Sequence, residues 1–106
     1  MNLLVVSTVS NEQEASNLTR LLLQSKVAAC INIITGVKSQ YLWKGKIEST
    51  NEVLLLIKTT KAKYPEVEDI LKKNHSYEVP EIIAIEIEKG LTEYLNWIEQ
   101  ETKSLP

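Results

Sequence analysis

Between Val27 and Thr59 the chain carries two β-favouring apolar runs in succession, with no helical spacing between them. The first extends from Val27 to Ile34, breaks at Gly36 and resumes from Val37 through Ile47; the second extends from Glu52 to Thr59. The polar tetrapeptide Glu48-Ser49-Thr50-Asn51 separates them and predicts the turn of a long antiparallel hairpin, bulged or bent near Gly36.

The flanking segments say what this hairpin joins. Leu3 to Val6 is a short continuous apolar run of the kind a central strand shows when both faces are covered. Ser10, with Gln13 three residues later, makes a capping-box signature, and Ala15, Leu18, Leu21 and Leu22 then recur at helical spacing, predicting a helix from about Asn11 to Lys26. After the hairpin, Thr60 to Asn74 places Val67, Ile70 and Leu71 on one face, with Pro65 tolerable only in a first turn and Glu68 four residues before Lys72. Ile82, Ile83, Ala84, Ile85 and Ile87 predict a last buried strand, and Leu91, Leu95 and Ile98 a closing helix after Gly90.

The order strand, helix, strand, strand, helix, strand, helix specifies an α+β fold. Its first six elements are the ferredoxin-like βαββαβ arrangement, with two helices on one face of a four-stranded antiparallel sheet. The second face is apolar too and only one helix remains to cover it, so other subunits are expected against it. No linker, repeat or low-complexity tract divides the sequence, and residues 1–106 read as one domain.

Charge and composition exclude several function classes. With 12 Lys plus Arg against 14 Asp plus Glu, the chain lacks the basic excess that holds nucleic acid or an anionic membrane. The longest uninterrupted apolar run, Val53 to Ile57, is far short of a membrane span, and the amino terminus reads as a strand rather than a signal peptide. A single cysteine, Cys30, cannot form an intrachain disulfide, which makes the cytoplasm the expected compartment. The only arginine, Arg20, sits inside the first helix, where it cannot serve a phosphate-ester hydrolase, and the central strands carry no aromatic residues to stack RNA bases.

The chemistry-bearing residues fall into three groups. Cys30 and the single histidine, His75, match no metal-ligand spacing; the thiol reads as buried and inert, and the imidazole as solvated at a helix end. The alternative role for His75 is as a ligand for Cu(II) or another divalent cation, shared with Glu78, Glu81 or its own copies in an oligomer. Tyr41, Trp43, Lys44 and Lys46 surround Gly45; the aromatics suit either a subunit interface or a pocket wall, and the lysines an anionic ligand or a solvated face. Tyr77 to Glu81 is a loop stiffened by Pro80, a setting that often marks a site. No nucleophile with its base can be assembled, because Ser7, Thr8 and Ser10 lie far from His75 in sequence and no nucleophile elbow is present. An enzyme is therefore not expected.

Taken together, Ala29-Cys30-Ile31-Asn32-Ile33, Tyr41-Leu42-Trp43-Lys44-Gly45-Lys46, Leu56-Ile57-Lys58-Thr59, His75-Ser76-Tyr77-Glu78-Val79-Pro80-Glu81-Ile82 and Gly90 with Tyr94-Leu95 and Trp97 resemble the CutA divalent-cation-tolerance family, in register from about Leu3 to Ile98. The resemblance implies a ferredoxin-like subunit in a tight homotrimer similar in architecture to PII signalling proteins. It also implies an association with tolerance of copper and other divalent cations, and no required cofactor. Of the copper ligands described for that family, one histidine falls on His75, while the other falls on Asn74 and the cysteine on Ser7, so tight copper binding of that type is not expected. Ser76 also stands where the family usually has proline. Tyr41, Trp43, Tyr77, Glu81 and Trp97 are then expected at a cleft or trimer interface. The alternative function is a PII-like signalling or adaptor trimer holding a small anionic ligand between subunits near Lys44, Lys46 and Lys58.

Overall fold

Side-chain alternation in the two central strands decides the layering. In β1 (Asn2–Val9), Leu3, Val5, Ser7 and Val9 are buried on one face, while Leu4 and Val6 on the other are only half-buried. In β3 (Lys46–Thr60), Val53, Leu55, Ile57 and Thr59 share the buried face. These side chains meet α1 (Glu12–Gln24) through Ala15, Leu18 and Leu22 and α2 (Tyr64–Asn74) through Val67 and Leu71, and together they form the core.

The computed structural model describes residues 1–103; the last three residues of the single-domain reading lie outside the described part. Its elements are β1, α1, β2 (Cys30–Trp43), β3, α2, β4 (Ile82–Glu86) and α3 (Thr92–Glu101). The sheet order is β2-β3-β1-β4 and every neighbouring pair is antiparallel, which is the ferredoxin-like topology expected from the element order.

The hairpin is bulged where expected. Ile34 pairs with Leu54 but Val37 pairs with Glu52, so β2 carries one extra residue between them, and Gly36 takes the positive φ of 75° that such a bulge requires. The turn, however, is not at Glu48 to Asn51. Those four residues lie within β3 opposite Tyr41, Gln40, Ser39 and Lys38, and the chain reverses at Lys44-Gly45, whose φ values are 51° and 80°. Two successive residues with positive φ give the turn whose twist matches the flanking strands, so backbone geometry outweighs polarity, which here only marks solvated strand positions.

Helix ends also depart slightly from expectation. Asn11, not Ser10, is the N-cap of α1, its Oδ1 accepting from the Glu14 backbone N–H at 2.8 Å. The helix stops at Gln24 instead of Lys26 because Lys26 turns left-handed (φ 57°), with Lys26 N–H donating to Leu23 O and Val27 N–H to Leu22 O, the paired bonds of a Schellman end. α2 begins at Tyr64, since Thr60 still pairs with Asn2 in the sheet.

α3 covers only one end of the opposite sheet face: Asn2 Nδ2 donates to Leu95 O at 3.1 Å, and Ile98 is buried beneath it. Cys30, expected to be buried, is half-buried and faces Tyr94 of α3; burial first and this thiol second raise the Tyr94 hydroxyl above its ordinary range. The rest of that face stays open, with Ile83 and Ile85 at 52% and 57% exposure. Since β1 pairs with β3 only from Val53 onward, the distal hairpin, Val37–Trp43 against Lys46–Glu52, projects as a two-stranded ribbon and stretches the molecule to 48 Å.

Candidate functional site

The segment after α2 is held by the histidine. Asn2 O accepts from Ile87 N–H, so the even-numbered backbone groups of β1 point toward β4. But β4 starts at Ile82 opposite Ser7 and leaves Thr8 O without a strand partner. The His75 ring fills that gap: Nε2 lies 2.8 Å from Thr8 O, and Nδ1 accepts from Tyr77 N–H at 3.0 Å, which fixes the tautomer protonated on Nε2. Its side chain is fully buried and stacks obliquely on Tyr77, with ring centroids 4.8 Å apart. The solvated imidazole expected at a helix end is therefore corrected to a buried group completing the sheet ladder. With both nitrogens engaged, it is not free to ligate a metal.

A second anchor went unrecognised in the sequence. The Glu14 carboxylate accepts from Ser10 N–H (3.0 Å) and Oγ (2.8 Å), and from Ser76 N–H (2.7 Å) and Oγ (3.0 Å), pinning the segment to the start of α1. Burial pushes this carboxyl up, but the four hydrogen bonds outweigh it and hold the group below its ordinary pKa of 4.5. The legible signal was a capping box displaced by one position, Asn11 to Glu14 instead of Ser10 to Gln13.

From this fixed base Tyr77 reaches the hairpin. Its hydroxyl donates to Glu52 Oε2 at 2.8 Å, and burial, then the Glu52 acceptor, push the phenol well above its usual range, so it stays a donor. A cleft of about 710 Å³ lies between this segment and the ribbon, walled by Tyr41, Trp43 and Tyr77. Glu48, Glu52, Glu78 and Glu81 also line it, against one cation, Lys38. The structure thus brings together Tyr41, Trp43, Tyr77 and Glu81 along one cleft and adds Glu52, which becomes a neighbour only through the strand register.

Other expected members lie elsewhere. Trp97 packs against Tyr94 on α3 at 5.6 Å and does not line the cleft. Lys44 and Lys46 flank Gly45 at the hairpin tip, where the glycine serves the turn rather than a ligand, and Lys44 Nζ sits 6.0 Å from the centroid of the Trp43 ring. Lys58 is hydrogen-bonded to Asn32 Oδ1, roughly 40 Å along β3 from Lys46 at about 3.3 Å per residue. The three lysines expected around an anionic ligand are therefore not assembled within the chain.

A chelated metal does not fit the residues present. Ser7 is buried on the helix-facing side with its hydroxyl unpartnered, Asn74 Nδ2 donates to Ile70 O at 2.8 Å, and His75 is committed as described. Among the described residues, no three His, Cys, Asp or Glu side chains converge on a common point where an ion could sit.

The family model described as CutA1 divalent ion tolerance protein matches residues 3–101. The human protein CutA is 42% identical over 98 residues, covering 92% of this chain and 55% of that protein; this chain therefore spans about half its length. The divalent-cation tolerance protein CutA of Thermus thermophilus is 39% identical over 102 residues, covering 96% of this chain and 99% of that one. The solved structure described as the periplasmic divalent cation tolerance protein CutA from Archaeoglobus fulgidus superimposes with a TM-score of 0.94 at 41% identity, covering 97% and 100% of the two chains.

Proposed function

Because the chain belongs to the CutA1 divalent ion tolerance family, we propose that it is a non-enzymatic homotrimer associated with divalent-cation tolerance, meeting metal ions only weakly. The observation that carries the reading is the cleft itself, rich in carboxylates, while among the described residues no three donors converge on one ion. Such a surface attracts cations by its field and does not chelate them, as selective metal retention needs a closed ligand set at fixed distances.

Assembly is supported by what the single chain leaves uncovered. A two-stranded ribbon is marginal in water on its own, and the cross-strand pair Leu42 and Ile47 at its tip is 76% and 77% exposed. The open sheet face adds Ile83 and Ile85. The compartment we assign is the cytoplasm, on the single cysteine; no helix among the described residues is long and apolar enough to cross a membrane.

Light scattering tests the assembly, with three chain masses expected and a monomer at micromolar concentration refuting it. Calorimetric titration with Cu(II), Zn(II) and Ni(II) tests the chemistry. Unsaturated heats, unchanged in His75→Ala, are expected; a saturable one-to-one copper isotherm abolished in that variant would overturn the reading.

A further inference from the structure

The open sheet face carries a charge without a counter-charge. Lys58 alternates with Ile57 and Thr59, which are buried on the helix side, so its own side chain lies on the open face. There it stands between Cys30 of β2 and Leu4 of β1, and the adjoining row runs through Leu56, Val6 and Ile83. Where β1 pairs with its neighbours, Lys58 is the only ionic residue on that face. It is already half-buried, and no ion pair among the described residues includes it. Its ammonium donates to a neutral acceptor, Asn32 Oδ1. Facing water, that arrangement costs little. Beneath a second subunit it would leave a desolvated cation with an amide oxygen for its only partner, which is strongly unfavourable unless an opposite charge arrives with the subunit.

We propose that a glutamate carboxylate of the neighbouring copy supplies this charge, seated between Lys58 Nζ and Asn32 Nδ2. The inference rests on the assembly reading above and adds to it the contact that sets the subunits' register. The donor set selects the ligand. An ammonium has three N–H groups, of which Asn32 Oδ1 takes one, and the same contact leaves both N–H groups of Asn32 Nδ2 to a further acceptor. Two adjacent donor groups match the two oxygens of a carboxylate, and the bond to the ammonium is charge-assisted, about twice as strong as a neutral one. The chain has such groups to give, with 14 Asp plus Glu against 12 Lys plus Arg, and all of the acids but Asp69 are glutamates. Symmetry permits the match: in a ring of three each contact is heterologous, so Lys58 meets a different patch of the next copy instead of its own twin. The apolar residues around it drive burial without direction, whereas an ion pair among them is satisfied in one register only.

The test is subunit exchange between isotope-labelled and unlabelled protein, followed by native mass spectrometry at a temperature where the native assembly exchanges measurably. Lys58→Met keeps the apolar stem but removes the charge, stranding the neighbour's carboxylate, and should exchange about tenfold or more faster. Asn32→Asp sets a second acid against that carboxylate and should also exchange faster. Without a counter-charge both effects change sign: methionine would remove an unpaired cation, and aspartate would neutralise it within the chain. Slower or unchanged exchange in either variant, shown to be folded by circular dichroism, therefore overturns the proposal. Replacing chloride by acetate at constant ionic strength should leave native exchange unchanged; slower exchange in acetate would assign the position to a dissolved anion and overturn it too. A native protein that light scattering shows to be a monomer refutes the assembly reading itself, whereas a stable trimer with the signs reversed refutes the counter-charge alone.

Discussion

Replacing His75 by alanine separates a structural role from a metal-binding one. The substitution removes a fully buried ring and leaves Thr8 O, in a residue only 7% exposed, without its hydrogen bond. Stranding a buried acceptor costs about 1 to 3 kcal/mol, and the lost bond from Tyr77 N–H contributes about 1 kcal/mol more. Truncating the ring adds a cavity beside Tyr77, and large-to-small changes at such sites cost about 2 to 5 kcal/mol in all. These contributions overlap, so the expected total is about 3 kcal/mol. Guanidinium unfolding at pH 7, followed by circular dichroism at one fixed protein concentration because assembly makes the midpoint concentration-dependent, reads it directly. His75→Gln provides the control, because its amide nitrogen occupies roughly the place of Nε2 and can still donate to Thr8 O; it should recover about 1 kcal/mol. A loss below about 0.5 kcal/mol in His75→Ala, the level of ordinary surface substitutions, would refute the argument that this ring completes the sheet.

Three further outcomes follow from the same geometry. Because the Glu14 carboxyl titrates lower in the folded chain than its ordinary 4.5, its stabilisation is fully present above that value and disappears as pH falls through the folded pKa. Glu14→Gln should therefore cost about 2 kcal/mol at pH 7, with the gap to native protein closing as pH falls below 4.5 in urea unfolding, and a pH-independent gap would contradict the assignment. Gly45→Ala places a Cβ at a φ of 80° in open space, so the cost is backbone strain alone, about 1 kcal/mol in the denaturation midpoint, with no packing penalty. Ile85→Lys puts a charge on the open sheet face and should reduce the mass seen by light scattering; unchanged assembly would show that this face is not an interface.

How much of the site was legible depends on the kind of signal each residue gave. Tyr41, Trp43, Tyr77 and Glu81 were recognisable because aromatics on a strand and acids beside a proline announce themselves locally. Glu52 and Glu14 were not. Glu52 reads as one more polar strand residue until the bulge at Gly36 sets it opposite Val37 and within reach of Tyr77. Glu14 reads as a first-turn acid, and its partner Ser76 lies 62 residues away.

The sequence by itself determined the element order, the ferredoxin-like class, the bulge and the family, because hydrophobic periodicity and glycine placement are local codes. Only the tertiary structure decided the fate of His75. Locally it is an imidazole after two lysines at a helix end, where solvent is the natural partner. In the fold it is drawn inward because β4 begins one residue too late to pair with Thr8, and a buried carbonyl must find a donor. That demand arises from the pairing of strands far apart in the chain, and no local pattern around position 75 encodes it.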